Sequence, residues 1–249
     1  MPTIAELRAA TQPAAIFERN SGEHWAGRLY MRRLSPYCTR LLLRLGLSAN
    51  AVTWLMIAVG IAAAGVLTLP GVVAALGAAA LIQLQLLLDC SDGEVARWRE
   101  QRSPVGVYLD RIGHWVTEAA LPIALGVRAD GGWDSPGTYT TLGLVIAVLV
   151  LLIKGESALV SVARAESGRP PAEDTVAVAA PRASGLAQLR RAARLAPFYR
   201  AFVAVEATLL ALAAALLDAT RALVVALVVV AALTAAGHLL AILNSSRLR

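Results

Sequence analysis

The sequence predicts an all-α integral membrane protein with six transmembrane helices and an N-terminal amphipathic helix at the membrane interface. Of its 249 residues, 57% are hydrophobic and 16% are charged, whereas soluble domains contain about 45–50% apolar and about 25% charged residues. The apolar residues are gathered into runs long enough to cross a hydrocarbon core, which takes about 20 helical residues. These observations exclude an ordinary soluble domain.

Residues 1–47 precede the first apolar run and form the N-terminal region. Residues 1–20 have the composition of a loosely ordered tail with short helical stretches. From Ser21 to Gly46, apolar residues alternate with arginines in an amphipathic pattern. This pattern predicts a helix in the interface plane, with its arginines toward anionic phosphates. Pro36 is expected to break or bend that helix.

Residues 48–249 contain six apolar runs, which we interpret as one membrane domain. The predicted spans are 49–69, 71–97, 105–127, 138–165, 199–217 and 220–243. A Leu69-Pro70-Gly71 turn joins the first two, and a polar loop of residues 128–137 joins the third and fourth. Residues 166–198 contain prolines and a basic amphipathic stretch, which predicts a cytoplasmic loop with one surface helix.

The arginines predict the orientation of the spans. They are concentrated before the first span, between the second and third, around the loop of residues 166–198 and at the C-terminus, whereas the opposite loops carry only Arg128 and Arg221. Positive charge collects on the cytoplasmic side, so we expect both termini in the cytoplasm of a bacterial cell, with the spans in its plasma membrane. This bias, together with attraction to anionic lipids, accounts for the net charge of +6, and we expect no nucleic-acid partner.

Four ionisable residues lie where two predicted spans meet a short loop. Asp89 and Asp92 are three residues apart near the end of the second span, and Asp110 and His114 are four apart in the third. Each pair shares one helix face, and the short loop makes the helices antiparallel neighbours. Ionisable groups at membrane depth cost about a few kcal/mol each unless they are paired, hydrated or metal-bound. We therefore predict a cytoplasmic site for Mg²⁺ or Mn²⁺, with two ions.

The residues around this site each allow a functional and a structural interpretation. The aspartate–glycine motif can also be a helix-ending turn. Gly93, Ala96 and Gly106 can admit a ligand or serve helix packing, and Arg97 can bind a phosphate or extend to the interface. His114 can be a metal ligand, a general base or a packing residue.

Lys154 is the only lysine in the chain and lies inside the fourth predicted span. It can bind a substrate phosphate or form an ion pair with Glu118 or Glu156. In the functional interpretation, Arg164 and Arg200 at the cytoplasmic ends of their spans join it in a pocket for an anion.

The motif residues resemble those of the CDP-alcohol phosphotransferase family, whose pattern is D-x-x-D-G-x-x-A-R, about eight residues, then G-x-x-x-D-x-x-x-D. The positions that match are Asp89, Asp92, Gly93, Ala96, Arg97, Gly106 and Asp110. The likeness extends to the six spans, the amphipathic helix and Ser48-Ala-Asn50-Ala-Val-Thr53, which is similar to the family's P-N-x-x-T entry to the first span.

The resemblance implies a transferase of phospholipid biosynthesis that works as a homodimer among membrane lipids. A CDP-linked donor, often CDP-diacylglycerol, would bind through its pyrophosphate to metals held by Asp89, Asp92 and Asp110. A polar alcohol would attack the β-phosphorus and CMP would leave, with Asp110 and the position of His114 at the reaction centre. The residues implied for the CDP site are Asn50, Thr53, Gly93, Ala96, Arg97 and Gly106. The catalytic domain would be residues 48–249.

One motif position departs from the family pattern, because its last aspartate is His114 here. Either the histidine replaces it as base and nitrogen ligand, or the chain is a catalytically altered or silent relative that binds CDP-lipid or a partner. We adopt the first hypothesis because the other seven motif positions are intact. A transporter is disfavoured, since the acidic residues cluster at one edge and no discontinuous helix pair occurs in both halves.

Two residues bear on the acceptor. Glu94, in D-G-E-x-A-R, is similar to family members that act on inositol phosphates or other polar alcohols. Lys154 with the nearby arginines indicates an anionic acceptor, such as an inositol phosphate or a glycerol phosphate.

Overall fold

The computed structural model describes residues 1–13, 25–170, 198–245 and 248, and every regular element in these ranges is helical. The α-helices are α1 (Ile4–Thr11), α2 (Arg32–Arg44), α3 (Ala49–Leu67), α4 (Val72–Trp98), α5 (Pro104–Asp130), α6 (Thr138–Glu166), α7 (Ala204–Leu216) and α8 (Thr220–Leu243). A π-helical turn, Gly27–Met31, precedes α2, and a 3₁₀ turn, Phe198–Phe202, precedes α7. The all-α prediction is confirmed for the described residues. The surface helix predicted from the basic amphipathic stretch of residues 186–195 lies outside them.

Among the described residues, four helices are long and apolar enough to cross a membrane, namely α3, α4, α6 and α8. They fit a membrane protein, as predicted. The third predicted span coincides with α5, whose 27 residues include several charged side chains. The fifth is represented by α7, which has only 13 residues, fewer than the roughly 20 needed for a full crossing. The count of six spans therefore stays a prediction.

The chain divides into two compact units. The first comprises Met1–Val66 with Leu76–Thr117, and the second comprises Leu67–Ala75 with Glu118–Arg249. The first unit contains α1, α2, most of α3 and α4, and the first half of α5. The division reflects packing alone, and the predicted boundary between residues 47 and 48 stays a prediction.

Within the first unit, α3, α4 and α5 pack closely because glycines lie at their crossings. A Cβ on Gly113 of α5 would come within 2.6 Å of Ile57 on α3. A Cβ on Gly60 of α3 would overlap the hydroxyl of Thr117, which accepts a 2.9 Å hydrogen bond from Gln85 Nε2 of α4. Small residues allow this close backbone approach between membrane helices. These contacts fix the register of α4 and α5, which carry the acidic motif, against α3.

Pro36 lies inside α2, and the helix continues through it. Pro36 therefore does not break the helix, and the alternative that it bends the helix stays a prediction. A proline lacks the amide that would bond to the carbonyl four residues earlier, which here belongs to Arg32. Gln12 Nε2 donates a 2.8 Å hydrogen bond to that carbonyl. A side chain near the N-terminus thus satisfies the acceptor that the proline leaves open.

In the second unit, the last residue of α5 caps the start of α6. Asp130 Oδ2 accepts hydrogen bonds from the amides of Gly137 (2.8 Å) and Thr140 (2.7 Å) and from the Thr140 hydroxyl (2.7 Å). The first amides of a helix have no intrahelical acceptor. Gly137 at the N-cap has no side chain to supply one, so Asp130 takes that role and ties the turn between α5 and α6.

Candidate active site

Asp89 of α4 meets Asp110 and His114 of α5 within the first unit. One ligand atom from each of the three side chains lies within 4.8 Å of the others. His114 Nε2 is 2.9 Å from Asp89 Oδ1 and 3.5 Å from Asp110 Oδ1. The structure thus brings together three of the four residues that the sequence analysis assigned to the metal, with a single imidazole nitrogen facing both carboxylates.

A tight connection between α4 and α5 makes this meeting possible. The amide of Gln101 bonds to the Ala96 carbonyl and the amide of Glu100 to the Arg97 carbonyl, while Glu100 adopts a left-handed conformation with φ of 55°. This pattern is a Schellman motif, which ends a helix sharply. The Ser103 hydroxyl then accepts a hydrogen bond from the amide of Gly106 and caps α5.

Asp92, the fourth predicted ligand, has a different partner. Its Oδ2 accepts a 2.7 Å hydrogen bond from the hydroxyl of Thr53 on α3, and both residues are buried. It lies outside the cluster of Asp89, Asp110 and His114. The motif therefore uses its two α4 aspartates differently in this structure, one toward α5 and one toward α3.

The guanidinium of Arg97 lies across Gly93. A Cβ on Gly93 would be 3.1 Å from Arg97 Nη1 and 3.3 Å from Nη2. On its other edge, Arg97 Nε donates a 2.6 Å hydrogen bond to the main-chain carbonyl of Thr11. Because Gly93 has no side chain, the planar guanidinium of Arg97 can lie directly against the backbone at this position.

The remaining residues implied for the CDP site lie at the starts of α3 and α5 and along α4. A Cβ on Gly106 would be 3.2 Å from Asn50 Oδ1, so these two residues face each other. Ala96 packs against a buried cluster that includes Val52 and Leu88, so it also has a packing role. All of them belong to the first unit.

The three residues of the predicted anion pocket belong to the second unit. Lys154 Nζ is 2.8 Å from Glu118 Oε2, which matches one of its two structural alternatives. Arg164 Nε donates to the carbonyl of Pro170 at 2.8 Å, and Arg200 is exposed in the 3₁₀ turn. The structure therefore gives Lys154 and Arg164 separate partners.

Glu156, the other alternative partner of Lys154, pairs elsewhere. Its Oε2 is 2.7 Å from His238 Nδ1 on α8. Because that carboxylate is engaged by the imidazole, Glu118 provides the counter-charge for the lysine.

Sequence reasoning missed the surroundings of Glu94. Its side chain is fully buried and accepts hydrogen bonds from residues near the N-terminus rather than facing the Asp89 cluster. One feature of the sequence could have pointed to this contact. Glu94 follows Gly93 on a helix whose other acidic residues, Asp89 and Asp92, were already assigned to the metal, so Glu94 was left without a partner in the prediction. The residues that bond to Glu94 are more than 50 residues away in the chain, and nothing in their local sequence indicated that they would contact it.

Comparison with known proteins identifies the family. The family model described as CDP-alcohol phosphatidyltransferase matches residues 46–243, which is most of the chain. No curated protein matches the chain. The protein belongs to the CDP-alcohol phosphatidyltransferase family, as the motif predicted, and members of that family transfer a phosphate-bearing group from a CDP-alcohol.

Proposed function

We propose that this protein transfers a substituted phosphate group from a CDP-linked donor, CDP-diacylglycerol, to a polar alcohol and releases CMP. The observation that carries this proposal is the approach of Asp89, Asp110 and His114 to within 4.8 Å of one another in a chain that matches the family over 46–243. Asn50, next to Gly106, and Thr53, next to Asp92, support a CDP site beside that cluster.

The chemistry of the donor set supports a divalent cation, Mg²⁺ or Mn²⁺. Carboxylate oxygens suit both ions. Asp89 and Asp110 would hold the first ion, and Asp92, one helical turn from Asp89, would contribute to a second. His114 Nε2, which lies beside both carboxylates, would remain free of the ion so that it can accept a proton. When bound, such cations neutralise the pyrophosphate and the departing CMP.

The protein's own side chains would perform the remaining steps. Arg97 directs its planar fork at a donor phosphate, while Gly93 and Gly106 leave space beside it. The acceptor hydroxyl forms a bond to the β-phosphorus as the bond from that phosphorus to the oxygen of CMP breaks. The hydroxyl proton moves to Nε2 of His114. Holding the two substrates in line supplies much of the remaining rate enhancement.

The acceptor in this proposal is anionic, an inositol phosphate or a glycerol phosphate. Lys154 would exchange its contact with Glu118 for the acceptor phosphate, assisted by Arg164 and Arg200. The ion pair with Glu118 supports this assignment. A lysine at membrane depth needs an anionic partner, and Glu118 provides one when no acceptor is bound.

In the membrane, we propose six spans, with α5 and α7 counted among them, and a cytoplasmic location for both termini and the site. The helix α2 would lie at the interface, because its large apolar side chains at Leu34, Tyr37 and Leu41 are exposed at helical spacing. We also propose a homodimer, an N-terminal region of residues 1–47 and a catalytic domain of residues 48–249.

A second candidate function is a silent relative that binds CDP-lipid or a protein partner. The observation that favours it is the 2.9 Å contact between His114 and Asp89, since an imidazole and a carboxylate can satisfy each other without a metal.

The experiment that separates these candidates is incubation of the purified protein with CDP-diacylglycerol, Mg²⁺ or Mn²⁺ and a panel of alcohols. The alcohols are myo-inositol, inositol phosphate, glycerol phosphate and serine, and CMP is measured. Metal-dependent CMP release with one acceptor is expected. Binding of CDP-diacylglycerol without CMP release from any acceptor would instead support the silent relative.

A further inference from the structure

Glu94 is the most completely enclosed acidic side chain among the described residues, with an exposed fraction of 0%. Its Oε1 accepts hydrogen bonds from Ser35 Oγ (2.5 Å) and Gln12 Nε2 (2.8 Å), and its Oε2 accepts one from Thr39 Oγ1 (2.7 Å). Arg32 Nη1 lies 3.7 Å from Oε1. A buried carboxylate is tolerated when it is matched by donors in this way.

All of these donors belong to the described part of the N-terminal region before α3, residues 1–13 and 25–44, which we call the N-terminal segment. The segment precedes the family match, which begins at residue 46. Ser35 and Thr39 are four residues apart on one face of α2, and both are fully buried. Glu94 thus joins the helix that carries the motif to a part of the chain outside the matched region.

Gln12 connects α1 to the same contact. Its Nε2 amide group lies 2.8 Å from Glu94 Oε1 and 2.8 Å from the Arg32 carbonyl that Pro36 leaves open. An amide group has two hydrogens, so it can serve both acceptors. The end of α1 is therefore fixed to α2 and to α4 at one point.

The residue before Gln12 reaches the motif directly. The main-chain carbonyl of Thr11 accepts the 2.6 Å hydrogen bond from Arg97 Nε. Arg97 is three residues after Glu94, so the two side chains are near neighbours on the helix. With Nε held by this carbonyl, the two Nη groups lie against Gly93.

We propose that Glu94 is a positioning residue that acts through Arg97. Glu94 anchors the N-terminal segment to α4, and the anchored segment holds Arg97 by its Nε so that its two Nη groups are presented to the donor phosphate. This inference rests on the proposed function, because it assigns Arg97 to the donor. It also means that the N-terminal segment determines donor affinity without touching the donor.

The test compares steady-state CMP release by variants of the full-length protein. Thr39→Val removes the hydroxyl that bonds to Glu94 Oε2 at nearly constant volume, Thr39→Ser retains it, and Glu94→Gln removes the charge. The matched control is Glu100→Gln, which removes one negative charge from an exposed position six residues further along the chain. We expect the KM for CDP-diacylglycerol to rise about five-fold or more in Thr39→Val and Glu94→Gln. The kcat and the acceptor KM should change less than the donor KM.

A second readout follows the anchor itself. Cys38 on α2 is partly buried against the core of the first unit, so faster alkylation of Cys38 by a maleimide, assigned by peptide mass, reports release of the segment. We expect faster alkylation in Thr39→Val and Glu94→Gln, and wild-type behaviour in Thr39→Ser and Glu100→Gln. The buried Cys90 provides an internal reference.

The outcomes distinguish the two levels of the proposal. A wild-type protein without CMP release from any acceptor would overturn the proposed function and this inference with it. An active wild type whose variants expose Cys38 but keep the wild-type donor KM would overturn the inference alone. Unchanged Cys38 reactivity in both variants would also overturn it, because Glu94 would then not be the anchor.

Discussion

His114 Nε2 on α5 lies 2.9 Å from Asp89 Oδ1 on α4, so one imidazole nitrogen bridges the two helices of the acidic motif. The same nitrogen is 3.5 Å from Asp110 Oδ1. A histidine at the last motif position therefore reaches the acidic cluster, where the family pattern has a fourth aspartate. The following predictions test what the cluster and its surroundings do.

His114→Ala is expected to lower the rate of CMP release by about 100-fold or more, because the reaction would lose the proton acceptor that we propose. His114→Asp restores the family pattern and should recover part of that rate. The measurement is kcat at saturating donor and acceptor. His238→Asn, which changes the histidine paired with Glu156 in the second unit, is the control. If the alanine variant keeps the wild-type kcat, His114 has no role in the reaction.

Asp89→Asn is expected to raise the Mn²⁺ concentration needed for half-maximal CMP release by about ten-fold or more. Even residues that only support a ligand change metal affinity by about 10–100-fold. Chelation with EDTA should abolish CMP release, and added Mn²⁺ should restore it. Asp134→Asn, on an exposed loop, is the control for a lost charge. An identical Mn²⁺ requirement in the Asp89 variant would show that Asp89 does not bind the metal.

Lys154→Met is expected to raise the acceptor KM by about ten-fold or more, because the acceptor phosphate loses a charged donor. The donor KM should be unchanged. Glu118→Gln is the matched variant, since it breaks the same 2.8 Å ion pair but keeps the lysine. If both variants raise the acceptor KM equally, the ion pair matters for structure and the pocket assignment fails.

Asp130→Ala is expected to destabilise the fold by about 1 kcal/mol, as for loss of other helix N-caps. The start of α6 would lose acceptors for the amides of Gly137 and Thr140. Tm in detergent measures the effect. Asp134→Ala, a few residues further on in the same turn, should leave Tm unchanged, and equal Tm values for the two variants would contradict the capping role.

The sequence was sufficient for the helical architecture and for the approach of α4 to α5. Helical spacing determines which face carries Asp110 and His114, and the short connection after Trp98 brings that face toward Asp89. Both relations are local in the chain, so motif spacing describes them well. For the same reason, spacing alone did not predict that Asp92 bonds to Thr53 on a third helix.

The remaining contacts depend on which segments pack together. The amphipathic pattern before Gly46 gave no indication that Ser35 and Thr39 bond to Glu94. Pro36 predicted a break or a bend, and the break does not occur. The Gln12 side chain that satisfies the carbonyl left open by the proline is 20 residues from Arg32, so the local sequence around Pro36 could not indicate it. Lys154 had two candidate partners of equal charge, Glu118 and Glu156. It pairs with Glu118 because Glu156 is already paired with His238 on α8.

The bond between Arg97 and position 11 is made to a main-chain oxygen, and every amino acid carries that atom. Replacement of the fully buried Thr11 side chain by one of similar size should therefore leave the bond in place, while inserting one residue between Thr11 and Gln12 would separate this carbonyl from the contact that Gln12 makes with Glu94. At this point the protein should accept other small side chains and be sensitive to changes in length.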